Sequence, residues 1–192
     1  MEDVPSRRIF VAINLSKSVQ EQILNLQHQL NDKRLPVNWT PLSNMHLTLL
    51  FLGNLSAWDI KKICGIADDV AADSVKFELE LRRLEVNKQR GTPRILWFLP
   101  KKNQNLTALQ LKLAQAVMTA GIGKPPRRRF RPHLTIARFR SQVEADKKIL
   151  KTWCRQKPQI KVSVDSFAVI ASDLSHKPVQ HETIHVSTLT EG

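Results

Sequence analysis

Apolar positions along this chain change period several times, from short runs or strict alternation to a spacing of three and four and back again. Ile9-Phe10-Val11-Ala12-Ile13 and Ile95-Leu96-Trp97-Phe98-Leu99 are apolar runs of strand length. Val75 to Leu81 and Val162 to Ala168 alternate in the manner of half-buried strands. Between these runs the helical period takes over. Val19, Ile23, Leu26 and Leu30 share one helical face, as do Leu106, Leu109, Leu113 and Val117 behind an expected cap at Asn105. A second pair of helices is expected to start near Ser56 and Ser141. Ile60, Ile63, Cys64, Ala67, Val70 and Ala71 stripe the former, and Ser141-Gln142-Val143-Glu144 opens the latter as a capping box. One further strand is expected from His181 to Leu189.

The chain repeats itself. His46-Leu47-Thr48-Leu49 recurs as His133-Leu134-Thr135-Ile136, an offset of 133 − 46 = 87 residues. At that offset Phe10 falls on Trp97, and the strand-like run from Val75 falls on the one from Val162. Each half reads strand, helix, strand, helix, strand, with halves at about 8–90 and 94–189 in a single domain spanning 1–192. Short connections and mixed element types predict an α+β fold of two lobes related by a pseudo-twofold axis, with parallel and antiparallel pairings left open. No Gly/Ser linker divides the halves; Lys88 to Pro93 reads as a turn.

The repeated tetrapeptide carries the chemistry. On a strand, His46 and Thr48 project to one side while Leu47 and Leu49 anchor the other, and His133 and Thr135 do the same against Leu134 and Ile136. If the two faces meet, they assemble two imidazoles and two hydroxyls. Imidazole titrates nearest neutral pH, so one copy can give a proton while the other takes one. Threonine hydroxyls can donate to the nonbridging oxygens of a phosphate. Such a site needs no metal and no cofactor. A single His-Leu-Thr-Leu would more often be structural; its second copy at a supported offset tips the reading to function.

Charge narrows the partner. Thirty Lys and Arg against seventeen Asp and Glu leave a formal +13, which points to a polyanion. Lys124, Arg127, Arg128, Arg129 and Arg131 crowd before His133 among Pro125, Pro126 and Pro132, and Phe130 offers a face on which a base could stack. The N-terminus reads as no secretory signal, and no apolar run approaches the ~20 residues of a membrane span. Two cysteines make no disulfide framework, and Cys64 reads as a small buried hydrophobe. A cytoplasmic, monomeric protein with no membrane partner is the expectation. There is no P-loop or dinucleotide fingerprint. His176, His181 and His185 read as surface or structural residues, since 181 and 185 on a strand lie ~13 Å apart, too far for one metal ion. His28 is assigned nothing.

Asn44-Met45-His46-Leu47-Thr48-Leu49-Leu50-Phe51-Leu52-Gly53 resembles the first signature of the RNA 2′,3′-cyclic phosphodiesterases, long labelled 2′-5′ RNA ligases, of the two-histidine phosphoesterase superfamily. Arg129-Phe130-Arg131-Pro132-His133-Leu134-Thr135-Ile136-Ala137-Arg138 is similar to their second signature, and Arg8 to Ile13 also fits. The resemblance implies a bilobal α+β fold with both motifs facing a central groove. It implies metal-independent hydrolysis of RNA 2′,3′-cyclic phosphate ends, or of nucleoside 2′,3′-cyclic phosphates, to 2′-phosphomonoesters. His46 would be the general acid, His133 the general base, and Thr48 and Thr135 phosphate ligands. Arg138 is similar to an arginine at the equivalent family position, although strict alternation would turn it away from His133 unless a bulge intervened. Phe10, Phe130 and Arg131 are candidate RNA contacts. Two other readings stay open: 2′-5′ RNA ligation in the same site, and an RNA-binding module whose histidines only touch phosphate.

Overall fold

The computed structural model describes residues 6–31, 35–122, 129–140, 147–176 and 178–192. The expected capping box at Ser141 to Glu144, and Lys124, Arg127 and Arg128 of the basic segment, lie outside the described residues. The strands are β1 (Arg7–Asn14), β2 (Val37–Trp39), β3 (His46–Leu55), β4 (Phe77–Gln89), β5 (Thr92–Pro100), β6 (Leu134–Phe139), β7 (Ile160–Val164), β8 (Ser166–Asp173) and β9 (Gln180–Thr188). The helices are α1 (Lys17–Leu30), α2 (Ala57–Ala72), α3 (Gln104–Thr119) and α4 (Lys147–Arg155). The strands join one curled sheet in the order β7-β4-β5-β6-β3-β1-β8-β9, with β2 also on β6. Every pairing between named strands is antiparallel, which decides the point that periodicity left open.

The helices form where their apolar stripes and caps coincide. Ser56 caps α2 by accepting the Asp59 N–H at 3.1 Å, and Val19, Ile23, Leu26 and Leu30 bury the predicted face of α1. In α3 the cap is Asn103, not Asn105: its Oδ1 accepts the Leu106 N–H at 2.9 Å, so the helix begins one residue after it, at Gln104. Cys64 is only half-buried at the border of the stripe, whereas Ile63, Ala67, Val70 and Ala71 are fully buried. Between β4 and β5, Arg90 and Gly91 both take positive φ, 50° and 81°. That is the conformation a two-residue hairpin turn requires, and it lets the two long strands pair from Gln89 with Thr92 onward.

Two strands change sides. β4, from the first half of the sequence, pairs with β5 of the second, and β8, from the second half, pairs with β1 of the first. The helices follow, since α4 packs on β4, α2 on β8 and β9, and α2 also on α3. One lobe is therefore β9-β8-β1-β3 and the other β7-β4-β5-β6. The run from Val162 to Ala168 is not a single strand: it breaks at Asp165, and β7 and β8 on either side run to opposite ends of the sheet. Val162 and Val164 are buried in one, Phe167 to Ala171 in the other, so the alternation joined two strands with different partners.

The lobes meet where β3 and β6 touch, through the single pair Leu47 with Leu134. These residues are themselves 134 − 47 = 87 apart, so the seam runs between repeat-equivalent positions. Both are almost wholly buried, in one apolar cluster that extends through both lobes. The 87-residue offset slips in the outer strands. Thr48 pairs with Ala12 and Thr135 with Trp97, so the ladder equivalent of Trp97 is Ala12, two residues along from Phe10.

Candidate active site

His46 opens β3, and His133 immediately precedes β6, so the Leu47–Leu134 seam places the two imidazoles on either side of the junction. Each lies half-buried on the side of its strand opposite those leucines, with Thr48 and Thr135 half-buried one alternation further on. The ladder skips one residue after each motif threonine: Leu49 between the pairs of Thr48 and Leu50, and Ile136 between those of Thr135 and Ala137. Both skipped residues are buried, as are the residues that follow them, Leu50 and Ala137. Two successive inward residues reverse the alternation. Phe51 and Arg138 therefore return to the face of the histidines, and both are exposed there. Arg138 lies close enough to push down the pKa of both His46 and His133, so the bulge accounts for a residue that strict alternation would have sent to the wrong side.

The two imidazoles are held alike. His133 Nδ1 lies 2.8 Å from the Arg131 carbonyl, which can only accept, so neutral His133 carries its proton on Nδ1 and leaves the Nε2 lone pair free. His46 bonds the backbone of Asn44, the residue equivalent to Arg131 in the repeat. The neighbours differ. His46 packs on Phe10 with ring centroids 4.7 Å apart and on His181 at 5.1 Å; His181 and Phe10 in turn lie 5.2 Å apart. His133 packs on Trp97 at 4.3 Å, and the Arg131 guanidinium sits over the same indole at 5.1 Å. Arg131 is also paired with Glu85 of β4, which holds Arg83 as well.

Burial lowers the pKa of His46 to about 4, reinforced by the charges of His181, His133 and Arg138 and opposed by the Asn44 backbone. Burial also lowers His133, with the Arg131 and Arg138 charges adding to the effect and the Arg131 carbonyl opposing it. His181 is lowered by burial alone. All three are therefore neutral in the free protein at neutral pH, and unfolding lets them regain an ordinary pKa near 6.5. Because the folded value lies below the unfolded one, His46 contributes stability that is full above pH 6.5 and is lost as pH falls towards 4. The loss expected from His46 alone is about 3 kcal/mol. Urea unfolding at pH 7 and pH 4.5 checks it. The drop should be clearly smaller in His46→Asn, and an equal drop in both proteins would refute the linkage.

The remaining sequence candidates divide. Phe10 is 3 % exposed and forms a small buried cluster with Ala12, Ala168 and Ile170 beneath His46, so its ring packs rather than offering a face to a base. The exposed aromatic on that side is Phe51, 63 % exposed and 6.0 Å from Phe10. Phe130 is half-buried against the core, and Arg129 and Arg131 are exposed. His185 and Ser187 both bond Asp68 Oδ1 at 2.7 Å, tying β9 to α2, and His176 bonds Asp173 at 3.1 Å, both away from the motifs. His181 is the residue that sequence reasoning set aside and the fold brings to the site. Its spacing to His46 is set by tertiary pairing of β9 through β8 and β1, which no local pattern records. Trp97 was visible only as an apolar residue of a strand. Among the described residues no three His, Cys, Asp or Glu side chains group as a metal site, and no helix is long and apolar enough to cross a membrane.

Comparison with known proteins gives a consistent picture. The profile of the 2′-5′ RNA ligase superfamily matches residues 15–176. A Bacillus subtilis protein named RNA 2′,3′-cyclic phosphodiesterase is 35% identical over 100 residues, which cover 52% of this chain and 54% of that protein. A Thermotoga maritima protein of the same name is 27% identical over 171 residues, 88% of each chain. Among solved structures, Escherichia coli LigT complexed with 3′-AMP superposes with a TM-score of 0.79 at 23% identity, covering 97% of this chain and 100% of that one. At that identity the likeness speaks to the fold.

Proposed function

The chain belongs to the 2′-5′ RNA ligase superfamily, and from that membership and the site's geometry we propose that it hydrolyses RNA 2′,3′-cyclic phosphate ends to 2′-phosphomonoesters without a metal. The observation that carries the reading is the pairing of two desolvated imidazoles, each with one ring nitrogen fixed on a carbonyl two residues earlier and a threonine beside it on the same face.

The reaction runs as one displacement at phosphorus. Water attacks the cyclic phosphate as His133 Nε2 takes its proton, the P–O3′ bond breaks, and the electron pair left on O3′ is met by a proton from His46. Thr48 and Thr135 donate to the nonbridging oxygens, and Arg138 balances their charge. His46 must be charged for this, although it is neutral in the free protein. A bound phosphodiester anion offsets the repulsion of Arg138 and returns a proton to the site. The depressed pKa then makes His46 a strong donor once loaded. The assignment of acid to His46 and base to His133 rests on family resemblance, since both rings are fixed alike. The exposed arginines and the +13 charge support an RNA end as the natural substrate.

A defined oligoribonucleotide ending in a 2′,3′-cyclic phosphate, incubated with the protein in excess EDTA, should yield a 2′-phosphomonoester. A 3′-phosphomonoester, or loss of turnover with EDTA that added metal restores, would sink the mechanism. An added RNA bearing a 5′-hydroxyl tests the ligation reading in the same tube. There the hydroxyl replaces water, and a 2′-5′ linkage formed faster than the hydrolysis product would make joining the main activity.

A further inference from the structure

The repeat supplies two equivalent motifs, so something outside the repeat must make their histidines unlike. Arg131, which stacks on the aromatic partner of His133, is a permanent cation. On the other side the corresponding place beside His46 is filled by His181, which stands at the start of β9 and has no counterpart in the motif repeat.

His181 is a built part of that wall. It registers with Ser172 of β8, which registers with Arg8 of β1, two residues before Phe10. Val179, two residues before it, accepts a hydrogen bond from Asn44 Nδ2 at 2.8 Å, and Asn44 is the residue whose backbone holds the His46 ring. Glu182, the next residue, is paired with Arg7. The His181 ring lies edge-on to both His46 and Phe10, at 5.1 and 5.2 Å, and its Nδ1 is buried with no hydrogen-bond partner. An unpartnered buried nitrogen costs stability unless the placement serves another purpose.

We propose that His181 is a positioning residue that breaks the symmetry of the two motifs, clamping the His46 ring against Phe10 and keeping water from it, so that the ring is held in place for the leaving oxygen and takes up its proton only when a phosphodiester anion is bound. The proposal rests on the hydrolase reading for its catalytic half only. The clamp itself is a statement about the free protein. The other charged groups acting on His46 are His133 and Arg138, both on the opposite lobe, and neither changes when His181 is replaced.

Histidine titration by NMR in the substrate-free protein, together with kcat and KM for a cyclic phosphate substrate, tests it on His181→Ala and His181→Phe. In His181→Ala, water reaches His46, so its titration midpoint should rise by more than one pH unit towards the ordinary value while that of His133 stays put. The same variant should lose roughly 10- to 100-fold in kcat, as a displaced catalytic group does, with KM within about twofold. His181→Phe keeps an apolar ring in place and should restore both the low His46 midpoint and kcat. Unmoved midpoint and kcat in His181→Ala alongside a lower melting temperature would make the residue merely structural and overturn the proposal. Equal movement of both motif histidines would overturn it too. If the wild-type protein turned over no cyclic phosphate while the His46 midpoint moved alone, the hydrolase reading would fail and the clamp would stand.

Discussion

Replacing His46 or His133 by alanine is expected to lower kcat for a 2′,3′-cyclic phosphate by about 10²- to 10⁴-fold in either case. Neither motif holds a second imidazole for the lost proton transfer, and His181 meets His46 edge-on with its Nδ1 buried. Each ring already spends one nitrogen on the backbone at Asn44 or Arg131, and the threonines hold their protons too tightly to replace an imidazole. On the proposed mechanism acid and base act in one displacement, so the double variant should be scarcely slower than either single one. KM should change little, since the proposed phosphate ligands Thr48, Thr135 and Arg138 are untouched. Asparagine versions serve as a control for the packing of His46 on Phe10 and should be equally inactive. A single variant that keeps more than a tenth of wild-type kcat would remove that histidine from the mechanism.

Truncating the seam is expected to have the largest effect on stability. Leu47→Ala or Leu134→Ala should each cost about 2–5 kcal/mol, the range for deleting a buried leucine in a site that cannot collapse. Collapse is opposed here because each leucine sits in the one ladder contact between β3 and β6, with strands fixed on either side. The same change should reduce activity even at temperatures where the variant stays folded. Leu47 and Leu134 directly follow the two histidines, so loosening the seam alters the distance across which a proton donor and acceptor must meet one phosphorus. Denaturant unfolding and residual kcat at low temperature check the two effects. A destabilised variant with unchanged kcat would mean that the histidines are positioned independently of the seam.

Local periodicity revealed a good part of this architecture and stopped at definite places. The strands at Ile9–Ile13, Ile95–Leu99 and the two motifs, and the buried faces of α1 and α3, are local: each needs only its own spacing and a turn or cap. The cap of α3 lies two residues before the expected asparagine because both residues are Asn and only backbone geometry chooses between them. The alternation from Val162 to Ala168 hid a break because Phe167 to Ala171 are buried on both faces, which erases the period that marks a strand's partner. Arg138 was readable only as a conditional. Its direction depends on the skipped residue Ile136, and a bulge is a property of two strands together. His181 was beyond reach for the same kind of reason. A histidine on a C-terminal strand carries no mark of the ring it will meet, and here that ring belongs to the third strand of the chain.

The exchange of β4 and β8 between lobes has a consequence for how the protein comes into being. β1 has Phe10 beneath His46, yet its second neighbour, β8, ends at Asp173, and the strand bearing His181 follows later still. During synthesis from the N-terminus, the first motif is thus complete in sequence long before its surroundings exist. Most of the contacts that set the pair of imidazoles are distant along the chain, which makes folding slow relative to a helical bundle of the same length. Neither half emerges as a finished unit that waits for the other. Until β9 docks beside β8, His46 has Phe10 beneath it but lacks the ring of His181 at its side, so the wall of the first motif is finished by the strand of the sheet that is made last.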